Sequence, residues 1–123
     1  MNMDKLEYKD LESEEDDKEK EPFHEFFVAG VKFHKLHMCL NEVKVGECLM
    51  MAAEPSNKYD PNAVRLEYAS FHLGEEVMVG YVPAKISASV SAAMMISDLK
   101  AEVIEVNPSA KTWEQLKVAI KEA

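Results

Sequence analysis

The chain has 123 residues, of which 47% are hydrophobic and 30% charged, and its 14 basic and 23 acidic side chains give a formal net charge of -9. This length suits a single domain, and no run approaches the roughly 20 apolar residues that span a bilayer. The first residues lack the basic and then apolar layout of a signal peptide, so the sequence predicts a cytoplasmic protein with no membrane association.

Residues 1–22 carry most of the excess charge. They hold ten acids and four lysines, a net charge of -6, whereas residues 23–123 hold 13 acids and ten bases, a net charge of -3. With few bulky apolar residues, the first segment cannot bury enough surface to offset the entropy lost on ordering. We therefore predict a disordered acidic tail at 1–22 and one folded domain at 23–123.

Strand patterns dominate the first part of this domain. The aromatic and β-branched run at 26–33 predicts a first strand, and the apolar run at 47–53 predicts a second. A loop rich in turn formers at 55–62 leads to residues 63–68, which alternate with period two and predict a third strand. Residues 77–82 predict a fourth strand that closes a hairpin with the third.

The apolar spacing becomes helical at Pro83 and predicts one main helix over about 83–97. Residues 99–106 predict a fifth strand, and the alternation at 116–120 predicts a sixth. The last segment also suits a helix, but a strand is favoured because the fifth strand needs a neighbour. The predicted fold is mainly β (α+β): a small six-stranded antiparallel barrel, OB-like or SH3-like, with one main helix.

The sequence lacks the signatures of several enzyme classes. It contains no phosphate-binding loop, no nucleophile elbow, no dinucleotide-binding glycine turn and no His-Glu-x-x-His motif. We therefore predict a non-enzymatic protein without a cofactor. The spacing of metal ligands is present at His34, His37 and Cys39. The Cys-x-x-Cys or His-x-x-x-His pairs that are typical of zinc sites are absent from the sequence. A metal-binding protein remains an alternative, although we predict no metal.

The loop before the third predicted strand places an amide, a phenol and a carboxylate close together, on Asn57, Tyr59 and Asp60. An amide and a carboxylate accept hydrogen bonds from a hydroxyl, and an exposed ring stacks on a base. A structural role is the other interpretation: Asp60 accepts a backbone N–H, Asn62 adopts an unusual backbone angle and Tyr59 covers the barrel mouth. Local chemistry alone favours the structural role.

Three segments resemble the HIRAN domain family in their order and spacing. They are residues 28–34, residues 54–66 with the Asn-x-Tyr-Asp-x-Asn-Ala run, and residues 79–83 with the Gly-Tyr-Val-Pro turn ahead of the helix. The likeness covers about residues 24–121. This family is a small OB-like β-barrel with helices, best known in helicase-like DNA-remodelling proteins, where it captures the free 3′ end of single-stranded DNA. The resemblance implies such a module, in repair or replication, with a DNA-processing protein as a possible partner.

The resemblance also implies the residues of a DNA site. Lys32 matches the family's cation and would meet a phosphate, while Phe33 and His34 match its aromatic pair and would stack on the end bases. In the loop that holds the terminal nucleotide, Asp60 would accept a hydrogen bond from the 3′ hydroxyl. Lys85 stands one place beyond the position expected for a second basic residue. The implied DNA-binding residues are Lys32, Phe33, His34, Asn57, Tyr59, Asp60 and Lys85.

A protein-interaction module is the main alternative to DNA binding. In this interpretation the same pocket, or exposed methionines, would receive a peptide; the methionines are Met50, Met51, Met94 and Met95. The net charge opposes DNA binding, because proteins that bind the nucleic-acid backbone are usually basic. The acidic tail would then compete with DNA for the pocket, which makes autoinhibition a hypothesis for residues 1–22.

Overall fold

A computed structural model of the chain describes residues 23–123, so the predicted acidic tail at 1–22 lies outside the described residues. The described part contains six strands, two α-helices and three single-turn 3₁₀ helices. The strands are β1 (His24–Phe27), β2 (Cys48–Ala53), β3 (Val64–Ser70), β4 (Glu75–Tyr81), β5 (Leu99–Val106) and β6 (Leu116–Glu122). The α-helices are α1 (Leu36–Cys39) and α2 (Ala84–Met94), and the 3₁₀ helices are Val31–Phe33, Leu40–Glu42 and Thr112–Glu114.

The six strands form one sheet in the order β1-β6-β5-β2-β3-β4, and every neighbouring pair is antiparallel. The sheet curls, because an isolated antiparallel bridge joins Ala29, beyond β1, to Tyr81 at the end of β4. Two backbone hydrogen bonds of 2.8 and 2.9 Å make this bridge. The predicted mainly β, OB-like fold with one main helix is confirmed, although the barrel is curled and not strictly closed.

Apolar side chains that alternate along the strands fill the inside of the curl. Leu66, Val79, Val103, Val118 and Ile120 are all 0% exposed. Burying a Val, Leu or Ile side chain contributes about 1.5–3 kcal/mol, so this interior is the main source of stability. The loops at the rim are thereby carried on a rigid scaffold.

The predicted first strand at 26–33 is wrong beyond Phe27. Gly30 has a left-handed backbone, with φ at 71°, and the chain then enters the 3₁₀ helix Val31–Phe33. Glycine adopts this conformation readily because it lacks a Cβ, and the extended run cannot continue through it. Phe33 is consequently 75% exposed at the rim of the curl instead of lying in the core.

The other strand predictions are confirmed, with ends that differ by a few residues. The main helix is shorter than predicted, and Pro83 precedes it as the N-cap residue. The helix α1 was not predicted, because four residues are too few to show a helical period. Between residues 23 and 123, no helix is long and apolar enough to cross a membrane.

Gly80 lies where β4 approaches the segment that follows β1. A Cβ at this position would overlap the carbonyl oxygen of Ala29 and lie 2.6 Å from Cγ1 of Val28. We expect Gly80→Ala to lower the free energy of unfolding by about 1–3 kcal/mol, because the packed backbone must shift to admit the methyl group. Chemical denaturation measures this change.

Gly46→Ala is the matched control for Gly80→Ala. Gly46 also has a positive φ, but nothing lies within 4 Å of a Cβ built there. Its substitution therefore reports the cost of the backbone conformation without the cost of crowding. Equal losses of stability in the two variants would contradict the close approach of β4 to the segment after β1.

Candidate nucleic-acid interface

A groove of about 670 Å³ opens at the rim of the curl, between the 3₁₀ helix Val31–Phe33 and the loop before β3. Five of the seven predicted DNA-binding residues line it, although they come from two separate segments of the chain. The lining residues are Ala29, Gly30, Phe33, His34, Asn57, Tyr59, Asp60, Ala63, Tyr81, Val82 and Ala84. The groove combines apolar walls with a few polar groups, which is the usual character of a ligand site.

Two exposed aromatic rings stand at the groove. Tyr59 is 86% exposed and Phe33 is 75% exposed. A lysine ammonium lies over each ring: Lys32 Nζ is 5.1 Å from the centroid of Phe33, and Lys58 Nζ is 5.3 Å from that of Tyr59. Such cation–π contacts hold a positive charge next to a flat surface. The groove therefore offers stacking faces and nearby cations together.

His34 is more constrained than the two exposed rings. Its imidazole meets the ring of Tyr81 edge to face, with the centroids 5.6 Å apart and an interplanar angle of 69°. Tyr81 comes from the end of β4, so this contact ties the turn after β1 to the opposite edge of the sheet. The predicted aromatic pair thus divides into an open ring, Phe33, and a partly buried ring, His34.

Asn57 shapes the loop that carries Tyr59 and Asp60. Its side-chain Oδ1 accepts the backbone N–H of Tyr59 at 2.9 Å and that of Asp60 at 3.0 Å. Its Nδ2 donates to Oε1 of Glu54 at 3.0 Å. The amide is therefore engaged within the protein, and Asn57 contributes to the groove mainly by holding its two neighbours in place.

Glu54 anchors this loop to the sheet. The hydroxyl of Tyr81 donates to Glu54 Oε1 at 2.8 Å, and Arg65 donates to Oε2 at 2.9 Å. The hydrogen bond from Asn57, followed by those from Tyr81 and Arg65, lowers the pKa of the Glu54 carboxyl below its usual value. Sequence reasoning gave no role to these anchoring residues, although Glu54 and Arg65 flank the loop.

Asp60 is half-buried in the groove wall, and both of its carboxylate oxygens have partners. Oδ1 accepts the backbone N–H of Asn62 at 2.9 Å, and Oδ2 accepts the hydroxyl of Ser87 at 2.7 Å. The turn contact predicted for the structural role is thus present. Each carboxylate oxygen can accept a second hydrogen bond, so this role still leaves room for a ligand hydroxyl.

The unusual angle predicted for Asn62 is wrong: within 23–123, every residue with positive φ is a glycine.

The two remaining predicted residues lie outside the main groove. Lys32 lines a smaller groove of about 190 Å³ that also contacts Phe33. Lys85 is exposed in the first turn of α2, next to the lining residue Ala84. Lys85 is therefore beside the groove but is not part of its lining.

The smaller groove also contains a residue that sequence reasoning missed. Trp113 lines it and is 61% exposed, with Lys111 Nζ lying 5.6 Å from its ring centroid. Trp113 lies outside the family motifs and outside the predicted strand at 116–120. The available signal was a lysine close in sequence to an aromatic residue, as at Lys32 and Phe33.

The three residues with metal-ligand spacing, His34, His37 and Cys39, are not gathered into one cluster. Cys39 is buried, and burial, with a smaller effect from Glu42, raises the pKa of its thiol to about 11. Within the part of the chain that the structure describes, no three His, Cys, Asp or Glu side chains gather to hold a metal ion.

The predicted methionines lie around a different groove. Met50, Met51 and Met94 line a groove of about 380 Å³ near the end of α2, and Met95 beside it is 84% exposed. None of these residues lines the groove that contains Phe33 and Tyr59. Peptide binding at the methionines and nucleotide binding at the rings would therefore use separate surfaces.

We expect Asn57→Ala to destabilise the fold as well as the groove. The substitution leaves two backbone N–H groups without their acceptor. Each of these groups that water cannot reach lowers the free energy of unfolding by about 1–3 kcal/mol. Urea denaturation measures the loss. Asn62→Ala is the matched control, because Asn62 contacts Asp60 through its backbone. A surface substitution of this kind changes stability by about 0.5 kcal/mol or less. A similar loss in both variants would contradict the role of the Asn57 amide.

The fold and groove define a class: a small curled β-barrel that presents rings and a carboxylate at its rim, as a binding module does. A family model described as the HIRAN domain matches residues 23–122, and the chain therefore belongs to the HIRAN domain family. The family resemblance predicted from the sequence is confirmed. HIRAN domains are known as DNA-binding modules.

Two solved structures share this fold. A protein from Lactobacillus plantarum aligns over 82% of this chain and 92% of its own, with a TM-score of 0.66 and 16% identity. The HIRAN domain of human HLTF aligns over 79% of this chain and 69% of its own, with a TM-score of 0.52 and 15% identity. At these identities the likeness shows the fold alone. No curated protein matches the sequence.

Proposed function

We propose that the protein is a non-enzymatic module that binds the 3′ end of single-stranded DNA in the groove that contains Phe33, Tyr59 and Asp60. The observation that carries this proposal is that two exposed rings and one carboxylate line the same groove. Only a strand end presents an uncovered base face next to a free hydroxyl. An acceptor beside a stacking ring therefore selects ends over the interior of a strand.

The local charge supports DNA binding despite the net charge of the chain. Lys32 and Lys58 lie over the two rings, and Lys85 stands beside the groove. We propose that these ammonium groups meet the phosphates next to the stacked bases. Stacking contributes roughly 1–3 kcal/mol per base, so a short end can be held without a broad basic surface.

The smaller groove extends the proposed path of the single-stranded DNA across the protein surface. Phe33 contacts both grooves, and Trp113 stands in the smaller one with Lys111 over its ring. We propose that nucleotides preceding the end pass over Phe33 towards Trp113. The family resemblance supports a role in repair or replication alongside a DNA-processing protein.

Fluorescence anisotropy with two matched oligonucleotides tests this function. One oligonucleotide ends in a 3′ hydroxyl and the other in a 3′ phosphate, which removes the donor and brings negative charge towards Asp60. We expect clearly tighter binding of the hydroxyl end. Equal affinity for the two ends would overturn end recognition, and absence of binding to either would overturn DNA binding.

Peptide binding at the methionine groove is the second candidate function. The exposure of Met95, 84%, and of its neighbour Ile96, 85%, favours it, because exposed apolar residues next to a groove are typical of interaction sites. A DNA oligonucleotide would not displace a peptide bound there, since the methionines are absent from the nucleotide groove. Competition between the two ligands would place both in the groove of Phe33 and Tyr59.

Deletion of residues 1–22 is expected to tighten DNA binding at low salt. The deleted segment carries a net charge of -6, which repels phosphates and competes with them for lysines. The difference between the full chain and the shortened chain should shrink as salt rises, because salt screens charges beyond about 10 Å at 0.1 M. Anisotropy titrations at several salt concentrations measure it, and equal affinity at low salt would contradict autoinhibition.

A further inference from the structure

Ser87 makes an unexpected contact beneath the proposed nucleotide groove. This residue lies in α2, is 1% exposed, and donates its hydroxyl hydrogen to Oδ2 of Asp60 at 2.7 Å. The carbonyl oxygen of Ala84 lies 3.1 Å from the same hydroxyl. A serine hydroxyl has one hydrogen, so it can serve only one of these two acceptors fully at a time.

The contact holds the Asp60 carboxylate from a second direction. The backbone N–H of Asn62 holds Oδ1 from within the loop, whereas Ser87 holds Oδ2 from the helix. Two donors on two different elements fix both the position and the plane of the carboxylate. With Asn62 alone, the carboxylate would keep one contact and could turn about it.

We propose that Ser87 is a positioning residue that sets the preference of the groove for a free 3′ hydroxyl. It holds Asp60 so that the unused acceptor directions of the carboxylate face the groove, and Ser87 itself does not contact the nucleotide. A preorganised acceptor binds a hydroxyl more tightly because less freedom is lost on binding. This inference rests on the proposed function.

Two oligonucleotides, identical except for a 3′ hydroxyl or a 3′ hydrogen at the last sugar, measure the preference directly. The readout is the ratio of the two affinities. A change in bulk stability or in base stacking affects both affinities alike and leaves this ratio unaltered. We expect Ser87→Ala to lower this ratio about 3-fold to 10-fold. This is less than the loss of about 10-fold or more that accompanies removal of a hydrogen bond to a charged group, because Asp60 keeps its carboxylate and its contact with Asn62. Affinity for the end without a hydroxyl should change less than about 2-fold.

The helix offers a matched control for Ser87→Ala. Ser89 lies in the same helix, and its hydroxyl pairs with Nε2 of His24 at 3.1 Å, apart from the groove lining. Ser89→Ala should leave the ratio unchanged. If Ser87→Ala fails to fold, Ser87→Thr and Ser87→Val form a pair of equal shape, of which only the first keeps a hydroxyl and should keep the ratio.

The possible results separate this inference from the function on which it depends. A wild-type protein that binds both ends equally would overturn both. Two results would overturn positioning by Ser87 and leave end recognition standing. One is a wild-type preference that Ser87→Ala does not change, and the other is a variant whose affinities for the two ends fall by the same factor. In an Asp60→Asn background, Ser87→Ala should lower the ratio no further, and a further fall would show that Ser87 acts without Asp60.

Discussion

Asp60→Asn is expected to remove the preference for a 3′ hydroxyl and to weaken binding of the hydroxyl end about 10-fold to 100-fold. A hydrogen bond to a charged group contributes about 1.5–3 kcal/mol, and each 1.4 kcal/mol corresponds to a factor of ten. The amide oxygen of the new side chain can still accept the backbone N–H of Asn62, and Ser87 can turn to the carbonyl of Ala84. The fold should therefore survive, and anisotropy with hydroxyl and dideoxy ends measures the loss.

The direction in which Asp60→Asn changes the affinity for DNA distinguishes recognition of the hydroxyl from general electrostatic repulsion. Asp60→Asn removes a negative charge, which by repulsion alone would tighten the binding of DNA. Asp98→Asn removes the same charge in the methionine groove and should leave the hydroxyl preference unchanged. Tighter binding of Asp60→Asn to both ends would show that the carboxylate only repels phosphates, and the proposed recognition would be wrong.

Phe33→Ala is expected to lower the affinity for single-stranded DNA about 5-fold to 100-fold while leaving the melting temperature almost unchanged. Loss of one stacking platform costs about 1–3 kcal/mol per base. The ring is 75% exposed, so its removal takes little from the core. Tyr59→Ala should behave in the same way, since that ring is 86% exposed. Anisotropy and thermal unfolding on the same samples measure both quantities.

Phe71→Ala is the matched control for this loss of affinity. Phe71 is 89% exposed but lies in the turn between β3 and β4, outside the groove lining. Its removal deletes an equally exposed ring and should not affect DNA binding. Equal losses in the Phe33 and Phe71 variants would point to nonspecific contact with exposed rings. A Phe33 variant that unfolds would assign the ring to the core.

Much of the sheet was predictable, because strands and turns leave local patterns. The period-two alternation at 63–68 and at 116–120 corresponds to β3 and β6, and the helical spacing after Pro83 corresponds to α2. The first strand failed for a local reason as well. The apolar run at 26–33 continues through Gly30 in the sequence, whereas the positive φ of Gly30 ends the strand and turns Phe33 outward.

The candidate site was predictable in its residues but not in its internal contacts. The family motif indicated both segments of the groove, and five of the seven residues line it together. It did not indicate that the Asn57 amide is engaged by the loop backbone. Lys85 stands one place beyond the position that the motif expects for a basic residue, and Ala84 lines the groove in its place.

The order of apolar, turn and aromatic residues was enough to determine the class of fold, the family and the position of the loop with Tyr59 and Asp60. The curl of the sheet decided which side chains meet in the candidate site, because it brings together groups that are far apart along the chain. The hydrogen bonds of Ser87 with Asp60 and of Tyr81 with Glu54 each join residues 27 positions apart. Sequence periodicity reports which side of an element is buried, but not which distant side chain that side will meet.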